Sequence, residues 1–211
     1  VCVSQSTSSD NSEYDLTLAM WQEVAGPSGT PPSDEYFLGD QEEISGSSAD
    51  PVNTATGNLF HSEIDLSIKT CSKPLDFIRH YNSKNFQYKP LGWGWSHSYY
   101  IYLVEDTSLV SVHWADGHTD YWNLDGFGDY EPNTPGLYDS LTKEGSDWVV
   151  TKKNLEKYTF DSDGRLITVS DKNGNTTSLS YNNPSYSSLV TSVIGPVGRT
   201  LKLSYNTSGL L

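Results

Sequence analysis

Several groups of residues in this chain have the types that chemistry needs. Ser96 and His97 are adjacent within the aromatic stretch GWGWSHSYY, residues 92–100. A hydroxyl beside an imidazole suggests a hydrolase, but that chemistry needs the pair to converge and a carboxylate to orient the base. No GxSxG elbow surrounds Ser96, and neighbours on a strand point to opposite faces. Catalysis is therefore not expected there. His113, Asp116, His118 and Asp120 fall within HWADGHTD. They offer enough ligand atoms for a metal, yet the spacing is not that of a zinc site. Asp116-Gly117 reads as a hairpin turn, with the two histidines facing each other across it. DSDG (161–164) and LDGFGD (124–129) resemble calcium loops but lack the closing Glu of an EF-hand, and turn chemistry accounts for them. Trp93, Trp95 and Tyr99 are candidates for a sugar-stacking platform. The competing reading, which we favour, is a glycine-permitted bend whose rings fill the core. The expectation is no catalytic residue, no metal ligand and no cofactor.

The elements that carry these residues read as strands. Hydrophobic residues make up 35% of the 211, but aromatics reach 12%, including 14 Tyr and 6 Trp. Large rings compensate for scarce aliphatics, and the abundant turn formers suit strands rather than helix bundles. Ile64, Leu66 and Ile68 alternate with Glu63, Asp65 and Ser67, as in a half-buried strand. Further strands are expected over 75–81, 98–104, 148–151, 157–160, 166–170, 176–181, 189–194 and 199–205. Asp-Gly at 116–117, 125–126 and 163–164 and Asn-Gly at 173–174 are strong hairpin signals. The fold class expected is all-β, an antiparallel meander with almost no helix.

Charge is unevenly spread. Net charge is −14, and twelve acidic residues precede the first basic one, Lys69. Such a surface repels phosphate backbones and anionic lipid, so no nucleic-acid partner is expected. No apolar run reaches the roughly 18 residues of a membrane span. Cys2 and Cys71 are candidates for one disulfide, with two unrelated thiols as the alternative; their spacing fits no zinc motif.

Residues 1–50 read as an acidic arm and linker with one strand. Within 13–25, Leu16, Leu18 and Met20 share one parity, which marks a strand; a capped helix is the runner-up. The Pro/Gly/Ser-rich tether that follows permits this strand to add to a sheet edge, in its own chain or in a neighbouring copy.

The last fifty residues repeat. Phe160-Asp161, Tyr181-Asn182 and Tyr205-Asn206 each place an aromatic before Asp or Asn. Gly164-Arg165-Leu166 and Gly209-Leu210-Leu211 follow the first and third copies at one offset. Fixed repeats near 20 residues mean stacked units, and Phe160, Tyr181 and Tyr205 are expected to be the repeat core. YTFDSDGRLITVSDKNGNTTSLSYN resembles the YD repeat of Rhs and teneurin-like proteins. DPVNTATGNLFHSEIDLSI, PLDFIRHYNS and PLGWGWSHSY resemble the β domain that precedes those repeats in bacterial Rhs proteins. The resemblance divides the chain into the arm (1–50), an Rhs-like β domain (51–155) and YD repeats (156–211). It implies a β-shell that spirals around a cavity, with a toxin or other cargo as partner. On this reading the chain is a non-enzymatic, extracellular or cell-surface structural module, a shell scaffold or a subunit of a self-assembling structure. Its expected partners are itself or neighbouring YD-repeat segments. A carbohydrate-binding module for surface glycans is the alternative.

Overall fold

The computed structural model describes residues 3–7, 13–18, 52, 57–70, 73–85, 87–134 and 136–211. The described residues hold strands and turns and no helix, as the composition predicts. Eleven strands run in chain order through one antiparallel sheet. They are β8 (Tyr102–Glu105), β9 (Leu109–His113), β10 (Thr119–Leu124), β11 (Tyr130–Pro132), β12 (Ser140–Glu144), β13 (Asp147–Thr151), β14 (Lys157–Phe160), β15 (Leu166–Ser170), β16 (Thr176–Ser180), β17 (Ser192–Ile194) and β18 (Thr200–Leu203). β13 pairs with β14 across residue 155, so the ladder is continuous there. A second sheet orders β3 (Phe60–Ile68), β4 (Leu75–Asn82) and β7 (Trp95–His97), and β5 (Tyr88–Lys89) pairs with β6 (Gly92–Trp93). One hydrophobic cluster joins Leu66, Ile68 and Phe77 of the small sheet to Trp122, Trp148, Phe160 and Leu201 of the large one.

The N-terminal strands β1 (Val3–Thr7) and β2 (Glu13–Leu18) pair with each other, and β2 lies parallel against β18 with Leu16 opposite Leu203. Of the strand expected over 13–25, residues 13–18 are described and add to this chain's own sheet, and 19–25 lie outside the described residues. The strand is parallel in an otherwise antiparallel array, which a long connection permits. Met20, Cys2 and Cys71 lie outside the described residues.

One five-residue turn builds most of the meander. At 114–118, 125–129, 152–156, 161–165, 171–175, 195–199 and 206–210, the first N–H donates to the fifth carbonyl. In each the fourth residue has positive φ, as in hairpins closed by a type I turn and a bulge. Asp125, Asp161, Asp171 and Asn206 open four of these turns, and each Oδ1 accepts the N–H groups two and four residues on. That is the physical content of the Asp/Asn signature. In the 125–129 turn the left-handed residue is Gly128, not Gly126 of the Asp-Gly dipeptide.

Leu155 fills the left-handed position of the 152–156 turn at φ 68°, alone among non-glycine residues described. Its side chain is exposed, so little packing is lost on removing it. Leu155→Gly is expected to raise stability by about 1 kcal/mol, because a left-handed L-residue costs about that much. An upward shift of the urea midpoint checks this.

Two local expectations are corrected. The strand expected over 98–104 is instead a turn at 98–99 followed by β8 from Tyr102. The strict alternation at 63–68 breaks at a bulge between Ile64 and Leu66. Ile64 is left 60% exposed, and the Asp65 side chain turns inward instead.

Candidate functional site

β4 supplies one wall of a cavity of about 340 Å³. Alternation along the strand sends Leu75, Phe77 and Arg79 into buried positions and leaves Asp76, Ile78 and His80 on the cavity side. Tyr158, Val169 and Thr177, from β14, β15 and β16, form the opposite wall. The 114–118 turn closes one end with Trp114, Asp116 and His118, and Ser98, Tyr99 and Ile101 close another side.

The turn carries a dense polar network. His118 Nδ1 lies 2.5 Å from Asp116 Oδ1 and its Nε2 3.5 Å from Asp120 Oδ2. Its ring stacks on Trp114, whose Nε1 donates to Asp120 Oδ2 at 2.7 Å. Lys152 Nζ sits 3.7 Å from the centre of the Trp114 ring and pairs with Asp139 at 2.8 Å. Burial alone would lower the His118 pKa. Hydrogen bonds and charge from Asp116 and Asp120 outweigh it and push the imidazole up to about 9. Asp116 is held below its ordinary value: burial opposes this, and the His118 contacts prevail.

A raised histidine pKa stabilises the fold fully below its unfolded value, near 6.5, and that contribution is lost as pH rises through about 9. Burial lowers Lys89 to about 8, and this acts in the opposite sense above that pH. The difference between wild type and His118→Gln therefore isolates the histidine. We expect the melting-temperature gap between them to shrink steadily from pH 6.5 to 9.5. A gap independent of pH would show His118 to be neutral.

The structure separates the residues grouped in sequence. His113 does not join His118: it stacks on Tyr102 and bonds Thr119 Oγ1 and Ser111 Oγ. No cluster of three or more metal-ligating residues forms among the described residues. Ser96 and His97 are both buried, and neither Ser96 Oγ nor His97 Nε2 has a hydrogen-bond partner. Burial is the first cause that lowers His97 to about 3, which keeps it neutral. Trp93 is 37% exposed and meets Tyr88 edge-on, while Trp95 is tilted against Tyr81. Trp114 and Trp122 are buried. Phe160 is fully buried. Tyr181 and Tyr205 pack against the core, and their hydroxyls donate to Leu166 O and Val190 O, both at 2.8 Å.

Sequence reasoning missed three features of the site. Ser62 Oγ lies 2.8 Å from His80 Nδ1 on the neighbouring strand. Asp65 and Arg79 form a buried ion pair across the bulge. Asp76 lines the cavity with one oxygen shut off from solvent and without a donor. Only the parity of Asp76, Ile78 and His80 in PLDFIRHYNS signals a shared face, and it does not reveal what faces it.

The chain is similar to the tRNA nuclease WapA of Bacillus subtilis strain 168, at 31% identity over 155 residues. The same identity and extent hold for the tRNA3(Ser)-specific nuclease WapA of Bacillus spizizenii and the tRNA(Glu)-specific nuclease WapA of Bacillus subtilis subsp. natto. Each match covers 69% of this chain and only 6% of the relative. These relatives overturn the expectation of a non-enzymatic structural or glycan-binding module, because they are named as enzymes acting on tRNA. The motifs of these 211 residues correspond to only 6% of each relative, so they do not carry the signature of the whole protein. Residues 49–122 match the domain of unknown function DUF6531, a domain found in Rhs- and YD-repeat-like proteins.

Proposed function

We propose that this chain is part of a large tRNA-cleaving protein of YD-repeat type, and that it belongs to the body such nucleases share rather than to the part that selects the tRNA. The observation that carries this reading is the equality of the matches. Relatives named for a serine and for a glutamate tRNA resemble this chain to the same 31% over the same 155 residues. A segment that chose the tRNA would distinguish them. Charge agrees: a net −14 opposes binding of a polyanion. The YD-repeat assignment draws support from geometry, since Tyr181 and Tyr205 each bond a carbonyl 15 residues earlier. That is how a stacked unit repeats its contacts.

The test is cleavage of end-labelled total tRNA by the full-length polypeptide that contains this segment. We expect cleavage by the full-length protein. Replacing the segment with the matching stretch of a relative should leave the choice of tRNA unchanged. Intact tRNA after incubation with the full-length protein, or a changed tRNA choice in the chimera, would overturn the reading.

A further inference from the structure

We propose that the cavity between β4 and β14–β16 binds a small organic ammonium ion, its charged head on Asp76 and its apolar body against Ile78, Ile101, Tyr158 and Val169. The inference is independent of the nuclease reading and rests on the cavity's shape and on one carboxylate without a counter-charge.

The carboxylates around the cavity are matched with partners, with one exception. Asp116 holds His118, and Asp120 receives Trp114 Nε1 and His118. Asp139 holds Lys152, and Glu156 holds Lys73 at the rim. Among the described residues, no ion pair or hydrogen bond to the Asp76 carboxylate is found, and its Oδ1 is buried. Oδ1 is shut off from the cavity, so an incoming cation meets the rest of the carboxylate, and an ammonium head there supplies the counter-charge that the other carboxylates already have. The Ser98 hydroxyl does not serve, because it donates to the Asp76 main-chain carbonyl.

The rest of the cavity selects the class of cation. Ile78, Ile101 and Val169 offer no ligand atoms, so a hydrated metal gains little there, whereas an alkyl or aryl body is desolvated on entry. Tyr99 and Tyr158 add aromatic carbon to the same lining, which suits an aryl body. Lys73 and His118 also line the cavity, but Glu156 and Asp116 hold them, which leaves the Asp76 carboxylate as the unmatched charge on the described lining and disfavours an anion. About 340 Å³ lies within the range of small-molecule sites and admits an amine of modest size.

The experiment is calorimetric titration of the whole chain with phenethylammonium, beside 2-phenylethanol and phenylacetate as neutral and anionic counterparts. We expect the ammonium ion to bind at least tenfold more tightly than either. Asp76→Asn, which keeps the side-chain volume, should weaken it at least tenfold and leave the far-ultraviolet circular dichroism unchanged. Val169→Trp, which fills the apolar end, should abolish binding with Asp76 intact; if that variant does not fold, Asp76→Asn decides. Equal binding of the alcohol or the carboxylate, undiminished binding by Asp76→Asn, or no heat at millimolar ammonium would each overturn the proposal.

Discussion

Gly164→Ala is expected to cost more than about 4 kcal/mol, the range reserved for changes that the native backbone cannot absorb. Two costs combine at this residue. Its φ of 76° is one that an L-residue adopts only under strain. A methyl group there would also overlap the Leu103 carbonyl oxygen and stand 3.0 Å from its carbon. The contact is not incidental. Leu103 N–H donates to Gly164 O at 2.8 Å, and Tyr102 bridges Arg165. Through this seam β8, the last strand of the sheet order, touches the turn between β14 and β15, so the meander curls back on itself. A side chain at 164 would pry the seam open and expose Leu103 and Phe160, both buried. Gly174 supplies the control. It occupies the same position in the next turn at φ 81°, and nothing stands within 4 Å of a methyl placed on it. Gly174→Ala should therefore cost only about 1–2 kcal/mol, the left-handed penalty alone. Paired urea denaturation curves test the difference. Equal losses in the two variants would mean that the seam contributes nothing.

This contrast also marks how far the sequence could be read. The dipeptides Asp163-Gly164 and Asn173-Gly174 announce two hairpins equally well, and both form. Local turn chemistry is written in a few adjacent residues. That one glycine meets a strand sixty residues earlier is not, because only the curl of the sheet brings Leu103 there. The same division runs through the molecule. Strands 157–160 and 166–170 are expected and found at those bounds, since alternation and flanking turns define them. The 152–156 turn gave no signal, because Leu155 takes a place where Gly stands in the other six. Asn182 looks like a third copy of Asp161 and Asn206, yet the chain leaves β16 there for a longer excursion and returns only at Thr191, whose N–H donates to Ser180 O. The candidate site was the least legible part. Asp76 and His80 lie far in sequence from Asp116, Tyr158 and Val169, and the two sheets must fold before these residues share a cavity.

The Asp65–Arg79 pair yields the other large effect, and its sign depends on how it is broken. The bulge between Ile64 and Leu66 leaves Asp65 outside the ladder and lets its carboxylate reach the neighbouring strand. There Arg79 grips it with both Nε and Nη2, the latter at 2.8 Å. Only 10% of the Arg79 side chain and 5% of that of Asp65 remain exposed. The guanidinium carbon also lies 5.3 Å from the centre of the Trp95 ring. Asp65→Ala would leave that guanidinium buried without its counter-charge, which should cost about 3–5 kcal/mol. Arg79→Ala should be similarly severe, because it strands the carboxylate and removes the cover over Trp95. The paired exchange Asp65→Leu with Arg79→Met removes both desolvation costs together and should return stability to within about 1–2 kcal/mol of wild type. Because the pair is shielded from solvent, raising the salt from 0.1 to about 0.5 M should barely change the difference in midpoint between wild type and the double variant. A double variant no better than the sum of its singles would show that the two charges act apart. In that case the bulge, rather than the ion pair, fixes the register of β3 on β4.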